Sequence, residues 1–203
     1  MVTAADSRLP LPADAAAGDR RAGGKRHQSV LLVGRARIGT TDTACLVHDI
    51  SRNGMMARFP QPPSVGDTLI VEVRGLAPAR AVIRWVRGHK AGMQFAEPQA
   101  VENVFQLRRD DGLIARPPRF AVQAAAVLRL DGARFPATLL DISAGGAKLM
   151  AERPVQADQT GQMMLADFDM ALFGKVRWVK GEQFGFRFVA PLPLLTLAQI
   201  LAR

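Results

Sequence analysis

Two hexapeptides in this chain set a carboxylate, a hydroxyl and a glycine at one spacing: Asp49-Ile50-Ser51-Arg52-Asn53-Gly54 and Asp141-Ile142-Ser143-Ala144-Gly145-Gly146. Such a set suits binding better than catalysis. The carboxylate accepts from an N–H edge, the hydroxyl is a small donor and acceptor, and glycine lets the backbone approach a ligand closely or take φ > 0. Ahead of the first hexapeptide runs Arg20-Arg21-Ala22-Gly23-Gly24-Lys25-Arg26. Arginine offers a planar donor fork for phosphate or a purine edge and stacks on a base, whereas lysine is a point charge. Ahead of the second hexapeptide stands only Arg116-Pro117-Pro118-Arg119. The plainer reading of the same residues is a self-bonding Asp-x-Ser turn, in which both side chains cap backbone N–H groups, and a solvated basic run.

Catalytic chemistry finds little support. His27, His48 and His89 are scattered, and none falls at metal-ligand spacing. In a regular strand His48 and Asp49 point to opposite faces, so they form no dyad. No phosphate-cradling Gly-x-x-x-x-Gly-Lys occurs, and the single cysteine, Cys45, rules out an internal disulfide and reads as a buried, inert thiol. The sequence therefore predicts a protein that is not an enzyme and holds no metal or cofactor.

The elements that position these residues follow from an internal repeat. The hexapeptides lie 92 residues apart, and Arg84-Trp85-Val86-Arg87-Gly88 recurs 93 residues later as Arg177-Trp178-Val179-Lys180-Gly181. Each Trp is followed by Gly (Gly92, Gly185) and then Phe (Phe95, Phe188) at matched distances. Within each copy, short apolar and β-branched runs alternate with turn residues, which predicts an antiparallel sandwich or barrel. The first copy's strands are expected at 29–38, 44–49, 55–59, 67–73, 80–87 and 92–95. Those of the second are expected at 122–130, 137–141, 147–150, 162–166, 171–179 and 185–189. Trp and Phe form a closing hairpin and are expected to point into the barrel as core.

The spacing of Val101, Val104 and Phe105 after Pro98 predicts a short helix within 98–109, with Pro98 in its first turn. Leu194, Leu195, Leu197 and Ile200 predict a matching terminal helix within 191–203, which caps a barrel or an interface rather than a membrane. The expected division is a flexible tail over 1–18, a first barrel with its helix over 19–109, a linker over 110–118, and a second barrel with its helix over 119–203. With 203 residues, 48% hydrophobic and 22% charged, the chain has room for two such globular units. It has neither a secretory signal pattern nor a run long enough to span a bilayer, which predicts a cytoplasmic protein without membrane insertion. The net charge of +9 points to an anionic partner or to solubility. Nucleic acid is not the expected partner, because the chain has no Tyr and its aromatics are read as core rather than stacking platforms.

A strand ending in Asp-x-Ser-x-x-Gly, an arginine cluster before the first strand and a closing Trp…Gly-x-x-Phe hairpin together resemble the PilZ domain, twice, over 20–109 and about 116–203. The resemblance implies two tandem six-stranded antiparallel β-barrels, each followed by a short α-helix. It also implies a non-enzymatic receptor or adaptor for the second messenger cyclic di-GMP, with a protein partner downstream. The ligand residues it implies are Arg20, Arg21, Lys25, Arg26, Asp49, Ser51, Asn53 and Gly54. A degenerate second site comprises Arg116, Arg119, Asp141, Ser143 and Gly146. In the first copy Arg21 pairs with Lys25 at the family's Arg-x-x-x-Arg spacing and Arg26 lies one residue beyond; Arg116 and Arg119 are one residue too close. The first copy is therefore expected to bind, and the second to serve an interface or partner. The alternative is a ligand-independent PilZ-like interaction module.

Overall fold

A computed structural model describes residues 31–106, 116–166, 168 and 170–202. The tail, Arg20, Arg21, Lys25, Arg26 and most of the expected linker lie outside the described residues. Among the described residues there are twelve strands, six in each copy. In the first they are β1 (Leu32–Ile38), β2 (Thr41–Ser51), β3 (Gly54–Arg58), β4 (Thr68–Val73), β5 (Leu76–Arg87) and β6 (Lys90–Phe95). In the second they are β7 (Phe120–Leu130), β8 (Ala133–Ser143), β9 (Gly146–Met150), β10 (Thr160–Leu165), β11 (Ala171–Lys180) and β12 (Gln183–Phe188). All pairings are antiparallel, and each set closes on itself in the same order: β1-β2-β3-β6-β5-β4 and its counterpart β7-β8-β9-β12-β11-β10. Closure leaves no unpaired edge.

Turn chemistry sets the hairpins. Gly39, Gly75, Gly88, Gly132 and Gly181 stand at positive φ between paired strands, where a Cβ would strain the backbone. Inward positions on alternate residues fill each barrel. Cys45, Val47, Ile50, Leu69, Val71 and Ile83 are essentially inaccessible in the first, and Leu128, Leu139, Ile142, Phe184 and Phe186 in the second. Cys45 is buried as expected, and burial pushes its thiol up to about 12. We expect Ellman's reagent to leave it untouched in the folded protein and to titrate it fully in denaturant, because only the thiolate reacts.

The helices depart from expectation at the first copy. α1 is only Glu102–Phe105 and begins four residues after Pro98, so Pro98 is not in its first turn. The chain before it is held by backbone bonds instead: Ala96 N–H donates to Arg80 O at 2.9 Å and Gln99 N–H to Arg52 O at 2.7 Å. Val101 and Val104 are buried against the first core. α2 (Leu194–Leu201) buries Leu197 and Ile200 and leaves Leu195 exposed. It serves both barrels, closing the second and packing on β2 of the first. Ala44, on the outer side of β2, belongs to the second barrel's core cluster, and Val33 packs against it. Beside them the Arg35 guanidinium donates to Arg119 O across the junction at 2.9 Å and pairs with Glu72.

Candidate functional site

Strict alternation would bury Asp49, because Cys45 and Val47 on the same strand face inward. A β-bulge prevents this. The β2–β3 register shifts between Val47 and Asp49, so that Ile50 takes the inward place opposite Met55 and Asp49 stands outward opposite Met56. The second copy repeats the device between Leu139 and Asp141. Bulges re-aim side chains in this way, and they do so at functional sites.

A second pair of bulges corrects the expectation for the tryptophans. The β5–β6 register shifts between Ile83 and Trp85, and the β11–β12 register between Val176 and Trp178. Ile83 and Val176 stay in the core, while Trp85 and Trp178 turn outward, 37% and 38% exposed. Each ring lies across a glycine on the neighbouring strand. A Cβ on Gly92 would sit 2.1 Å from Trp85 Nε1, and one on Gly185 would sit 2.0 Å from Trp178 Nε1. The phenylalanines behave as expected, Phe95 and Phe188 both being buried.

These displacements assemble a groove of about 570 Å³ on the outside of the first barrel. Asp49, Ser51, Asn53 and Gly54 line one side, and Arg84, Trp85, Arg87 and Gln94 the other. Arg84 Nε donates to Gln94 Oε1 at 2.9 Å, and the Arg87 guanidinium stands 5.6 Å from the Trp85 ring centroid. The Asp49 carboxylate has no hydrogen bond or ion pair among the described residues. Of the eight ligand residues expected in the first copy, the groove brings together four. Arg84, Trp85, Arg87 and Gln94 were not expected; the signal available in the sequence was the repeated Arg-Trp-Val-(Arg/Lys)-Gly itself.

The motif serines bond within their own turns, but as donors to a carbonyl rather than as the caps of backbone N–H groups that the plainer reading expects. Ser51 Oγ donates to Gly54 O and Ser143 Oγ to Gly146 O, both at 3.1 Å. The carbonyls of the turns are used as well: Asn53 O accepts from Phe95 N–H at 2.9 Å, and Gly145 O from Phe188 N–H at 3.1 Å. Ser143 is buried. Replacing it with Ala leaves the Gly146 carbonyl without that donor, and we expect a loss of about 1 kcal/mol by chemical denaturation.

The second motif is closed differently. Arg119, on the proline-stiffened remnant, forms an ion pair with Asp141, and its own carbonyl is held by Arg35 of the first barrel. Arg116 is exposed. Where the first groove has Asn53, Met56 and Gln94, the second copy carries Gly145, Lys148 and Arg187. Among the described residues no group of three or more His, Cys, Asp or Glu could hold a metal ion, and no helix is long and apolar enough to cross a membrane.

The PilZ domain profile matches residues 20–109 and again 114–202. No curated protein matches the sequence. Three solved structures are similar to this chain at low identity. PlzA of Borreliella burgdorferi, in complex with c-di-GMP, is 13% identical, covering 86% of this chain and 91% of its own at a TM-score of 0.39. The MrkH–c-di-GMP complex of K. pneumonia is 16% identical, covering 84% of both chains at 0.32. YcgR of Escherichia coli, in complex with c-di-GMP, is 13% identical, covering 85% of this chain and 81% of its own at 0.33. With the profile matched on both halves and a closed six-stranded barrel in each, the chain belongs to the PilZ family as a tandem of two PilZ domains.

Proposed function

We propose that this protein is a non-enzymatic receptor for cyclic di-GMP, working in the cytoplasm, and that the first barrel alone holds the dinucleotide. The observation that carries this reading is the groove in which the unpaired Asp49 carboxylate faces Arg84, Arg87 and the exposed ring of Trp85. Asp49 would accept from a guanine N–H edge. The guanidinium groups suit phosphate or guanine O6/N7, and the indole offers a face for a base. Arg20, Arg21, Lys25 and Arg26 would close over the ligand from the preceding segment, and a loop ordered in this way resets the surfaces around it.

The second barrel serves the interface with the first and contacts to a partner. Asp141 is already paired with Arg119, so a guanine edge would have to displace an internal cation. The other reading, a ligand-independent interaction module, draws on the turn serines, whose hydroxyls bond within their own turns. Calorimetric titration of the full chain with cyclic di-GMP separates the two. The receptor gives a saturable heat from one site per chain. Absence of heat at tens of micromolar ligand with folded protein favours the module.

A further inference from the structure

We propose that the outer face of the second barrel, across β9, β10, β11 and β12, binds single-stranded nucleic acid. Its chemistry differs from that of the first groove: Val82, which pairs with Gln94 in the first barrel, has Lys175 paired with Arg187 as its counterpart. Met56, next to Gly92, has Lys148 next to Gly185. The first barrel's Arg58, Lys90 and Arg80 have Met150, Gln183 and Phe173 in their places. The cations of the second face are thus gathered around β11 and β12, with a ring beside them.

The charge stands largely uncompensated. The Arg187 guanidinium makes no ion pair or hydrogen bond among the described residues, and Arg177 makes no direct ion pair, acting on Asp158 only at longer range. Lys175 bonds Asp158 at 2.8 Å, but both groups are exposed, and such a pair yields easily to a phosphate. The one carboxylate of the motif, Asp141, is neutralised by Arg119.

Charge alone would suit any polyanion; the aromatics narrow the choice. Phe173 is 60% exposed, and it lines an open groove of about 630 Å³ with Lys175, Arg177, Arg187 and Val189. It precedes Lys175 by two residues on β11, roughly 6.6 Å along one strand face, and Arg177 follows at the bulge, exposed on the same groove. Trp178 lies beyond them, its indole against Gly185. Rings interleaved with cations on an open sheet are the recognition surface for unpaired bases on a phosphate chain. A duplex hides its base faces and is read instead by an element inserted in a groove.

Fluorescence anisotropy of the full chain with a labelled 15-mer of deoxythymidine, at several salt concentrations, tests this. The variant Lys148→Met/Lys175→Val/Arg187→Gln carries the first barrel's own residues at those positions, so the fold tolerates them. It should lower the slope of log K against log salt by about 2, for three phosphate contacts at ~0.7 each. Phe173→Ala should weaken binding about tenfold at an unchanged slope. Cyclic di-GMP titrations of both variants should match the parent, which keeps this inference separate from the first-barrel site. The inference is overturned if the parent does not bind the 15-mer, or if neither variant changes its binding. It is equally overturned if Phe173→Ala has no effect and polyglutamate competes as well as the oligonucleotide, which would mark an acidic-protein surface.

Discussion

Replacing Asp49 with Ala should cost cyclic di-GMP affinity between about tenfold and a hundredfold, while Asp141→Ala should leave it unchanged. A hydrogen bond to a charged group contributes about 1.5–3 kcal/mol, and each 1.4 kcal/mol is a factor of ten. Asp49 is free to make such bonds, because nothing among the described residues pairs with it and its bulge turns it into the groove. Asp141 is committed to Arg119 in a partly exposed pair. Its loss should therefore cost stability by less than about 1 kcal/mol and no ligand affinity. Titration calorimetry of both variants with matched thermal melts reads the contrast directly. Equal losses would mean that the motif acts in both barrels alike.

Gly54→Ala should damage the fold and the site together. A Cβ at Gly54 would lie 2.3 Å from the carbonyl oxygen of Met93, a backbone atom of the neighbouring strand. A flexible side chain could swing aside from such a contact, but a paired strand cannot. The strand must shift or the turn must open, at about 1–3 kcal/mol, the usual cost of overpacking. At roughly 4–8 °C per kcal/mol for a domain of this size, the first barrel's melting transition should fall by about 5–20 °C. Binding should fail even well below that transition, because Ser51 closes the turn through the Gly54 carbonyl. Differential scanning calorimetry and ligand titration at 10 °C check the two effects. A variant that melts like the parent would show that the β3–β6 approach is looser than drawn.

The fold was legible because the repeat supplied two independent readings of each strand. Runs such as Asp67–Val73 and Gly92–Phe95 were bounded by turn residues in both copies, so an error in one was checked by the other. What could not be read were the bulges at Asp49, Trp85, Asp141 and Trp178. Period-two alternation assigns Trp85 inward after Ala81 and Ile83, and the reasoning is sound until one extra residue enters the strand. Arg84 and Arg177 occupy those places, and nothing in their identity announces a bulge. The same limit applies to His48 and Asp49, whose faces were inferred from regular alternation across a position where the register shifts.

The consequence reaches function, because aromatics taken for core are groove walls. The chain lacks Tyr, but Phe173, Trp85 and Trp178 are not buried, and exposed rings can stack on bases. Long-range pairs were invisible for a different reason. Arg119 was read as too close to Arg116 to build a site, yet in space it meets Asp141, and its carbonyl meets Arg35 from the other barrel. Spacing along the chain does not report such meetings. The interface was partly readable: the apolar face of the terminal helix was expected to cap a barrel or an interface, and α2 does both.

The central claim is that the two motifs are alike in fold and unlike in ligand, and the chain's two tryptophans report on it separately. In an ¹H–¹⁵N NMR spectrum the two indole N–H signals, assigned with Trp178→Phe, mark one groove each. Saturating cyclic di-GMP should move the Trp85 signal and leave that of Trp178 in place. Movement of Trp178 alone, of both together, or of neither would contradict the account.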